Sequence, residues 1–567
     1  MPNGRTHKGL SLPAMSETQR FLLLAILIGI FAGLMVVCFH VAIDFLSWYS
    51  VGALSQRLRY ARLICPTAGA LVSVLLVRWF FRAARGSGVN QTKAALYISD
   101  GHVPFSTVIG KFLTCSISIG TGNSLGPEDP SLQMGAGIAS LLGRMFQVKR
   151  ENMRLIAPVG AAAGIAAAFN TPITGVLFVM EEVVAAWNAG VVGSIMLAAV
   201  SAVVVVRWFL GNEPLFRVPE FELRHPSELV VYAILGVAGG LLSALFVKLI
   251  EKLKRRLEHL PSHTAYAQAG AAGLLVGVAG LWLPQIMGAG YDAIDSALHD
   301  RFAWQALLAL GLVKLAATVV SFSAEIPGGM FAPTLFTGAM IGGGLGALAN
   351  RYWPFPTSFA DAYVLVGMGT FFAGVFRAPM TSIFMVFEVS ASYVIILPVM
   401  IANTISYFIS RTLHPVPFFT MLAQQEGVDL PSAEEQRSLP VLHVEEAMRA
   451  VVDVVLPANL PVAEAAKQIE TAGEERALVT FADGTWSTVT AEALRASLAE
   501  ENGTHALKEA CRLEVLPRLY PDQSVDVALR YLGAYPLLPV VNRAHPDQLE
   551  GVLSLEDIHR AYGIRRN

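Results

Sequence analysis

The stretch Ser118-Ile119-Gly120-Thr121-Gly122-Asn123-Ser124-Leu125-Gly126-Pro127-Glu128-Asp129-Pro130-Ser131-Leu132 lies deep in an apolar sequence yet carries two adjacent carboxylates. It holds too much glycine and proline to be one smooth membrane helix. Irregular backbone at membrane depth is tolerated only where it is buried in protein or lines a wet cavity. Acidic side chains there are costly and mark function by default. Pro127 and Pro130 suit a first helical turn, so the stretch reads as a loop running into a helix N-terminus. Such an end offers free N–H groups and positive dipole, which together attract anions. The plainer reading is a turn between two spans, with Glu128 and Asp129 as ordinary first-turn acids.

Working outward, the chain of 567 residues is 54% hydrophobic and 15% charged, where a soluble domain is about 25% charged. Apolar runs recur at Phe21–Phe45, Leu63–Phe81, Leu155–Met180, Val191–Leu210, Leu229–Ile250, Ala306–Val320, Tyr363–Phe376 and Ser382–Ile401. Several reach the ~20 residues needed to cross a bilayer, and others are short or broken by glycine. The composition excludes a large soluble protein. A net charge of −2 gives no pointer to nucleic acid, and the four scattered cysteines form neither a metal site nor a disulfide framework. Residues 1–20 read as a polar, basic tail on the cytoplasmic side, and Phe21 opens a first membrane helix rather than a cleaved signal.

Gly86-Ser87-Gly88-Val89-Asn90 follows the second run. Its glycines let the backbone approach a ligand and its hydroxyl can donate a hydrogen bond; for a lone G-S-G, a flexible inter-helix turn is the favoured reading. Asn170-Thr171-Pro172 breaks the later pattern, and a helix from Ile173 to about Trp187 carries Glu181 and Glu182. These two read as solvated helix-end charges or as the mouth of a proton path.

The second half repeats the first. Gly126-Pro127-Glu128-Asp129-Pro130 lines up with Gly329-Met330-Phe331-Ala332-Pro333 at a shift of 203 (329 − 126), and Val159-Gly160, Phe169, Pro172, Thr174 and Glu181 line up with Val366-Gly367, Phe376, Pro379, Thr381 and Glu388 at a shift of 207 (366 − 159). Two homologous halves, about 50–210 and 225–425, follow, with a site expected where they meet. Phe331 stands opposite Glu128, so the shared fold does not require the acid. Residues 426–438 form a polar linker. Beyond it, 439–567 alternates short strands and amphipathic helices and repeats internally. Val455-Leu456-Pro457, helix Val462–Glu470 and strand Ala477–Phe481 match Val515-Leu516-Pro517, helix Val525–Leu532 and strand Leu537–Val541. Each unit closes on another strand and helix, Trp486–Val489 with Ala491–Leu498 and Val552–Leu553 with Leu555–Tyr562.

These motifs resemble the CLC family of chloride channels and proton/chloride exchangers across most of residues 20–425. Gly86-Ser87-Gly88-Val89-Asn90 is similar to the family's G-S-G-I-P, Gly126-Pro127-Glu128-Asp129-Pro130 to G-R/K-E-G-P, and Gly329-Met330-Phe331-Ala332-Pro333 to G-x-F-x-P, with Gly160–Pro172 between the last two. The C-terminal region resembles a pair of CBS modules, about 439–500 and 510–567. The resemblance implies an α-helical polytopic membrane protein of two inverted repeats with broken, tilted helices, followed by an α/β CBS pair on the cytoplasmic face. It also implies a homodimer with an anion pathway in each subunit, set in a lipid bilayer such as a bacterial inner or plasma membrane. Ser87 and the amides of Met330 and Phe331 would hold chloride. Glu128 would be the gating glutamate and Glu182 the internal proton-transfer group, while Glu181, matched by Glu388, reads as structural.

Four positions depart from the family. Pro127 has no N–H to donate, which implies a weaker outer anion site. Asp129, in place of glycine, puts a second negative charge beside the gate, opposing anions or changing how Glu128 holds its proton. Asn90 replaces proline, and Phe419, aligned with the family's central tyrosine, has no hydroxyl for chloride. The expected function is proton-coupled chloride antiport, with a passive voltage- or pH-gated chloride channel as the alternative. A membrane hydrolase using Glu128 and Asp129 as acid and base lacks an accompanying nucleophile or metal-ligand motif, so no enzyme and no metal are expected. No cofactor is expected, with an adenine nucleotide at the CBS pair as the alternative: Ser554-Leu555-Glu556-Asp557 matches a ribose-binding Ser/Thr-x-x-Asp, but a helix cap alone explains the same spacing.

Overall fold

A computed structural model describes residues 16–58, 60–184, 189–212, 215–216, 218, 223–428, 430, 442–449, 454–500, 502–543 and 545–562. Most of the 1–20 tail and of the 426–438 linker therefore lies outside the described residues. The chain divides into two compact units, Met1–Arg437 and Ser438–Asn567.

The first unit is all helical. Its principal helices are α1 (Glu17–Ser47), α2 (Ala61–Trp79), α3 (Val89–Tyr97), α4 (Phe105–Gly120), α5 (Glu128–Met145), α6 (Arg150–Phe169), α7 (Pro172–Phe178), α8 (Ala189–Leu210), α9 (Glu228–Glu258), α10 (Ala265–Trp282), α11 (Tyr291–Leu298), α12 (Trp304–Ser323), α13 (Phe331–Tyr352), α14 (Ala360–Phe376), α15 (Pro379–Ser390), α16 (Ile396–Leu413) and α17 (Phe418–Gln425). Among the described residues, nine helical stretches are long and apolar enough to cross a membrane, and Phe105–Gly120, Ala360–Phe376 and Pro379–Ser390 are shorter apolar helices. Leu155–Met180, one run in the sequence, is two helices. Asn170 adopts φ 57° between them, and Pro172 starts α7 where its missing N–H costs nothing. Arg377 does the same at φ 56° before Pro379. The helix expected to reach about Trp187 does not hold its α geometry. It widens at Val179–Val184 into a π turn that carries Glu181 and Glu182, a form that frequently marks functional sites. Residues 185–188 lie outside the described residues.

The segments that match in sequence meet in space. Gly126 and Gly329 form an isolated antiparallel bridge, with the Gly126 amide donating to the Gly329 carbonyl at 2.8 Å and the reverse bond at 2.7 Å. Glu181 accepts from the Met380 amide at 3.4 Å, the Thr381 amide at 2.9 Å and the Thr381 hydroxyl at 2.8 Å. Glu388 accepts from the Ile173 amide at 2.9 Å, the Thr174 amide at 2.7 Å and the Thr174 hydroxyl at 2.6 Å. Each acid thus caps the helix that carries its counterpart, satisfying orphan N–H groups of a helix start. Glu181 is structural, and the solvated helix-end reading fails because it is buried. The helix pairs α5/α6 and α13/α14 pack backbone to backbone: a Cβ on Gly135 would sit 2.1 Å from the Gly160 carbonyl, and one on Gly338 2.3 Å from that of Gly367.

In the second unit, β1 (Val455–Pro457), β2 (Arg476–Thr480) and β3 (Trp486–Thr490) form one sheet, β1 parallel and β3 antiparallel to β2. Helices α18 (Val462–Ala472) and α19 (Ala491–Ala499) accompany it. Helix α20 (Val525–Leu532), the antiparallel pair β4 (Leu537–Val541) and β5 (Leu549–Ser554), and α21 (Leu555–Ala561) repeat the order. Val515-Leu516-Pro517 is not a strand. Here the Leu516 amide donates to the Trp486 carbonyl at 2.8 Å, and Leu519 bridges Val540. The flanks are exchanged: Val444 and Ala447 share a core with Leu519, Val525 and Leu553, whereas Leu507 packs with Leu456, Val462 and Leu494. Packing therefore crosses the 439–500 and 510–567 boundaries drawn from sequence order.

Candidate anion site

The Gly126–Gly329 bridge sets the N-termini of α5 and α13 face to face, and both acids of α5 reach across. The Asp129 Oδ2 accepts from the Met330 amide at 2.5 Å and the Phe331 amide at 3.4 Å, and the Glu128 Oε2 from the Ala332 amide at 3.3 Å. Three consecutive amides at the start of α13 are thus turned toward carboxylates. The other Glu128 oxygen accepts a hydrogen bond from the Tyr291 hydroxyl, at the first turn of α11. Both acids are fully buried. Two lysines are equally buried, Lys111 on α4 and Lys314 on α12. A helix start that presents amides, within a protein interior, is suited to a small anion.

Ser87 reaches this region through its neighbour. Gly88 adopts φ +127°, and a Cβ there would meet the Asp129 carbonyl at 2.6 Å. That approach packs the start of α3 against the first turn of α5. Lys111 donates to the Gly86 carbonyl, and Lys314 to the carbonyls of Ile286 at 2.8 Å and Gly288 at 2.6 Å. A cavity of about 30 Å³ is lined by Ser87, Asn90, Ile326, Pro327 and Leu422. Its lining shares Arg85, Glu325 and Glu426 with a wider cavity of about 1080 Å³ that also carries Arg78 and Arg82. Glu258 lines the wider cavity too, and Glu325 pairs with both Arg78, at 3.7 Å, and Arg85, so the mouth carries charges of both signs.

Phe419 sits at the start of α17. Asn90 Nδ2 donates to its carbonyl at 2.9 Å, so the Asn90 that replaces the family's proline ties the Ser87 segment to α17. The Phe419 ring stacks on Phe376 at 5.4 Å and meets Phe178 edge-on at 6.3 Å; both rings also contact Phe331, at 4.7 and 4.9 Å. Glu182 lies apart from Glu128. Its carboxylate forms an ion pair with Lys93 of α3, both side chains nearly buried at 8% and 3% exposure.

Ser554 and Asp557 belong to the second unit. The Ser554 amide and hydroxyl donate to Asp557 Oδ2 at 2.9 and 2.6 Å, and the Asp557 amide donates to the Ser554 hydroxyl at 3.3 Å, a complete capping box. Arg449 pairs with Asp557 at 3.0 Å. The helix-cap alternative is the arrangement present.

Sequence reading overlooked Tyr291, Lys93, Lys111 and Lys314. A signal for three of them exists: Gly86 and Gly88 recur as Gly288 and Gly290 at a shift of 202 (288 − 86), directly before Tyr291, and Lys111 recurs as Lys314 at a shift of 203 (314 − 111). Lys93 has no such signal, because its partner lies 89 positions away.

The family described as voltage gated chloride channel matches residues 69–411. A Ralstonia nicotianae protein described as chloride-channel ClcB-like is 33% identical over 68% of this chain and 92% of its own length. The H(+)/Cl(−) exchange transporter ClcA of Citrobacter koseri is 30% identical over 74% of this chain and 92% of its own. Among solved structures, a slow cyanobacterial Cl−/H+ antiporter superposes with a TM-score of 0.66 at 25% identity, covering 72% of this chain and 98% of that one. A eukaryotic CLC transporter shares the fold, with a TM-score of 0.63 at 20% identity over 95% of this chain and 98% of that one. The relatives named for an activity are transporters, not enzymes, so the hydrolase reading falls, and the chain belongs to the voltage gated chloride channel (CLC) family.

Proposed function

We propose that this protein moves chloride across a membrane in exchange for protons. The observation that carries the reading is the row of α13 amides, Met330, Phe331 and Ala332, presented to acids beside the cavity that Ser87 lines. An anion on those amides would compete with the Glu128 carboxylate, and protonation of Glu128 would release the seat to it. Ser87 would hold the anion on the cavity side. Glu182, in the π turn and paired with Lys93 of α3, would pass the proton, and Phe419 would close the inner side with an apolar ring where the family has a tyrosine. The exchange transporters and antiporter among the relatives support this reading.

The first unit is in this proposal a pair of inverted repeats, which the reciprocal Glu181 and Glu388 caps support. The protein works as a homodimer in a lipid bilayer such as a bacterial inner or plasma membrane. Its second unit is a cytoplasmic CBS pair, a reading supported by its duplicated strand and helix order. An adenine nucleotide at Ser554 and Asp557 would have to displace the Arg449 pair; equilibrium dialysis of full-length protein with radiolabelled ATP tests it.

A passive channel is the second reading. It is favoured by the Lys93–Glu182 ion pair, which ties up the proton group, and by the missing hydroxyl at Phe419. Purified protein in vesicles loaded with high chloride separates the two. Outward chloride flow should drive proton uptake in an exchanger; intact chloride flow with no proton movement would leave the channel.

A further inference from the structure

We propose that Asp129 is a second tethered anion of this protein: its carboxylate occupies the Met330 and Phe331 amides, and a transported anion binds there only after that carboxylate leaves. The inference rests on the anion-transport reading and adds to it a determinant of affinity that Glu128 does not supply.

The geometry is specific. Asp129 follows Glu128 at the start of α5, and the Gly126–Gly329 bridge holds that start against α13. The side chain crosses to the other half of the unit and sets one oxygen on two successive amides, at 2.5 and 3.4 Å. Charge-assisted bonds of this kind are the strong ones, and they use the donors a free anion would use. A Cβ on Gly329 would lie 2.1 Å from Asp129 Oδ2, so the acid fills the space beside the bridge.

The contact is not that of a structural cap. Glu181 and Glu388 each engage both oxygens and a threonine hydroxyl as well as two amides. Asp129 is held by Oδ2, and its Oδ1 is buried with no hydrogen-bond partner among the described residues. A buried oxygen of this sort is costly to leave unmatched, so the carboxylate is held less completely than in the two caps. The counterpart of Asp129 in the second half is Ala332, at the same shift of 203 (332 − 129), so the shared fold does not call for an acid here. Glu128 precedes Asp129 on α5 with its carboxylate on the Ala332 amide and the Tyr291 hydroxyl, so the two acids take separate donors.

Competition sets the magnitude. If the carboxylate is seated about ten times as often as not, the apparent anion dissociation constant is raised about elevenfold. Chloride titration of purified full-length protein by calorimetry, in an isethionate background, is the test. Asp129→Gly should tighten chloride binding by about tenfold, and Asp129→Asn, whose neutral amide oxygen accepts more weakly, should tighten it less. Dissociation constants of both variants equal to that of the unmodified protein would overturn the proposal. If Asp129→Gly does not fold, Asp129→Asn and crystals of the unmodified protein soaked in bromide decide the matter. Anomalous density on the Met330 and Phe331 amides, with Asp129 still seated there, would overturn it; density on those amides only in Asp129→Asn supports it. Vesicle flux keeps the two claims apart. Absence of any anion flux sinks the transport reading, whereas normal flux with unchanged affinities sinks the Asp129 inference alone.

Discussion

Replacing Lys93 by methionine removes the positive half of the Lys93–Glu182 pair and keeps the aliphatic stem. Both side chains are nearly buried, at 3% and 8% exposure, so solvent does little to screen them. Truncating one partner of a buried pair leaves the other charge uncompensated, which costs about 3–5 kcal/mol, whereas replacing both by neutral groups of similar size is close to neutral. Lys93→Met alone should therefore lower thermal stability markedly, and Lys93→Met with Glu182→Gln should recover most of the loss. The double-mutant coupling should be on the order of 3 kcal/mol. Size-exclusion profiles of detergent-solubilised protein after graded heating provide the readout, with Lys93→Arg as the charge-preserving control. A double variant as unstable as the two single changes added together would refute the pairing. With Glu182 as the proposed proton-transfer group, Lys93→Met should also change the pH dependence of coupling; an unchanged coupling profile would remove Lys93 from the proton path.

Other expectations follow from the same contacts. Glu181→Gln and Glu388→Gln each replace an acceptor oxygen by a donor amide against helix-start N–H groups, and each should cost about 1–3 kcal/mol in the heating assay; stability equal to the unmodified protein would dismiss the caps. Gly88→Ala puts a Cβ 2.6 Å from the Asp129 carbonyl at φ +127°, so chloride flux should fall sharply, and normal flux would mean that Gly88 and α5 are not in register. Ser87→Ala should weaken chloride binding in calorimetry while leaving thermal stability alone; unchanged affinity would take the hydroxyl out of the pathway.

Much of the site was legible because its parts are short local signals. Gly126 to Pro130 marks a helix start by its prolines and acids, and its copy at Gly329 to Pro333 announced the partner strand of the bridge. The reciprocal caps were half visible, since Glu181 and Glu388 matched in the repeat, but periodicity cannot say that each acid reaches the other's helix. Tyr291 is 163 positions from Glu128, and Lys93 is 89 from Glu182; the repeat marks the position of Tyr291 but not its partner, and the Lys93 contact, made by the packing of remote helices, leaves no trace in spacing. Asp129 was legible as a charge and not as a ligand, because its seat on the Met330 and Phe331 amides exists only once the two helix starts face each other. In the second unit, Ser554 and Asp557 had the spacing of both a ribose site and a cap, and the Arg449 pair that favours the cap comes from outside the motif.

Coupling through Glu128 is the central claim, and an imposed pH gradient tests it most directly. Vesicles with equal chloride inside and out, acidic inside, should accumulate radiolabelled chloride against its gradient when they carry the unmodified protein, as protons leave. Glu128→Gln, which can neither gain nor lose a proton, should still equilibrate chloride yet accumulate none. Uphill uptake that survives Glu128→Gln, or its absence from the unmodified protein while chloride still equilibrates, would contradict the account.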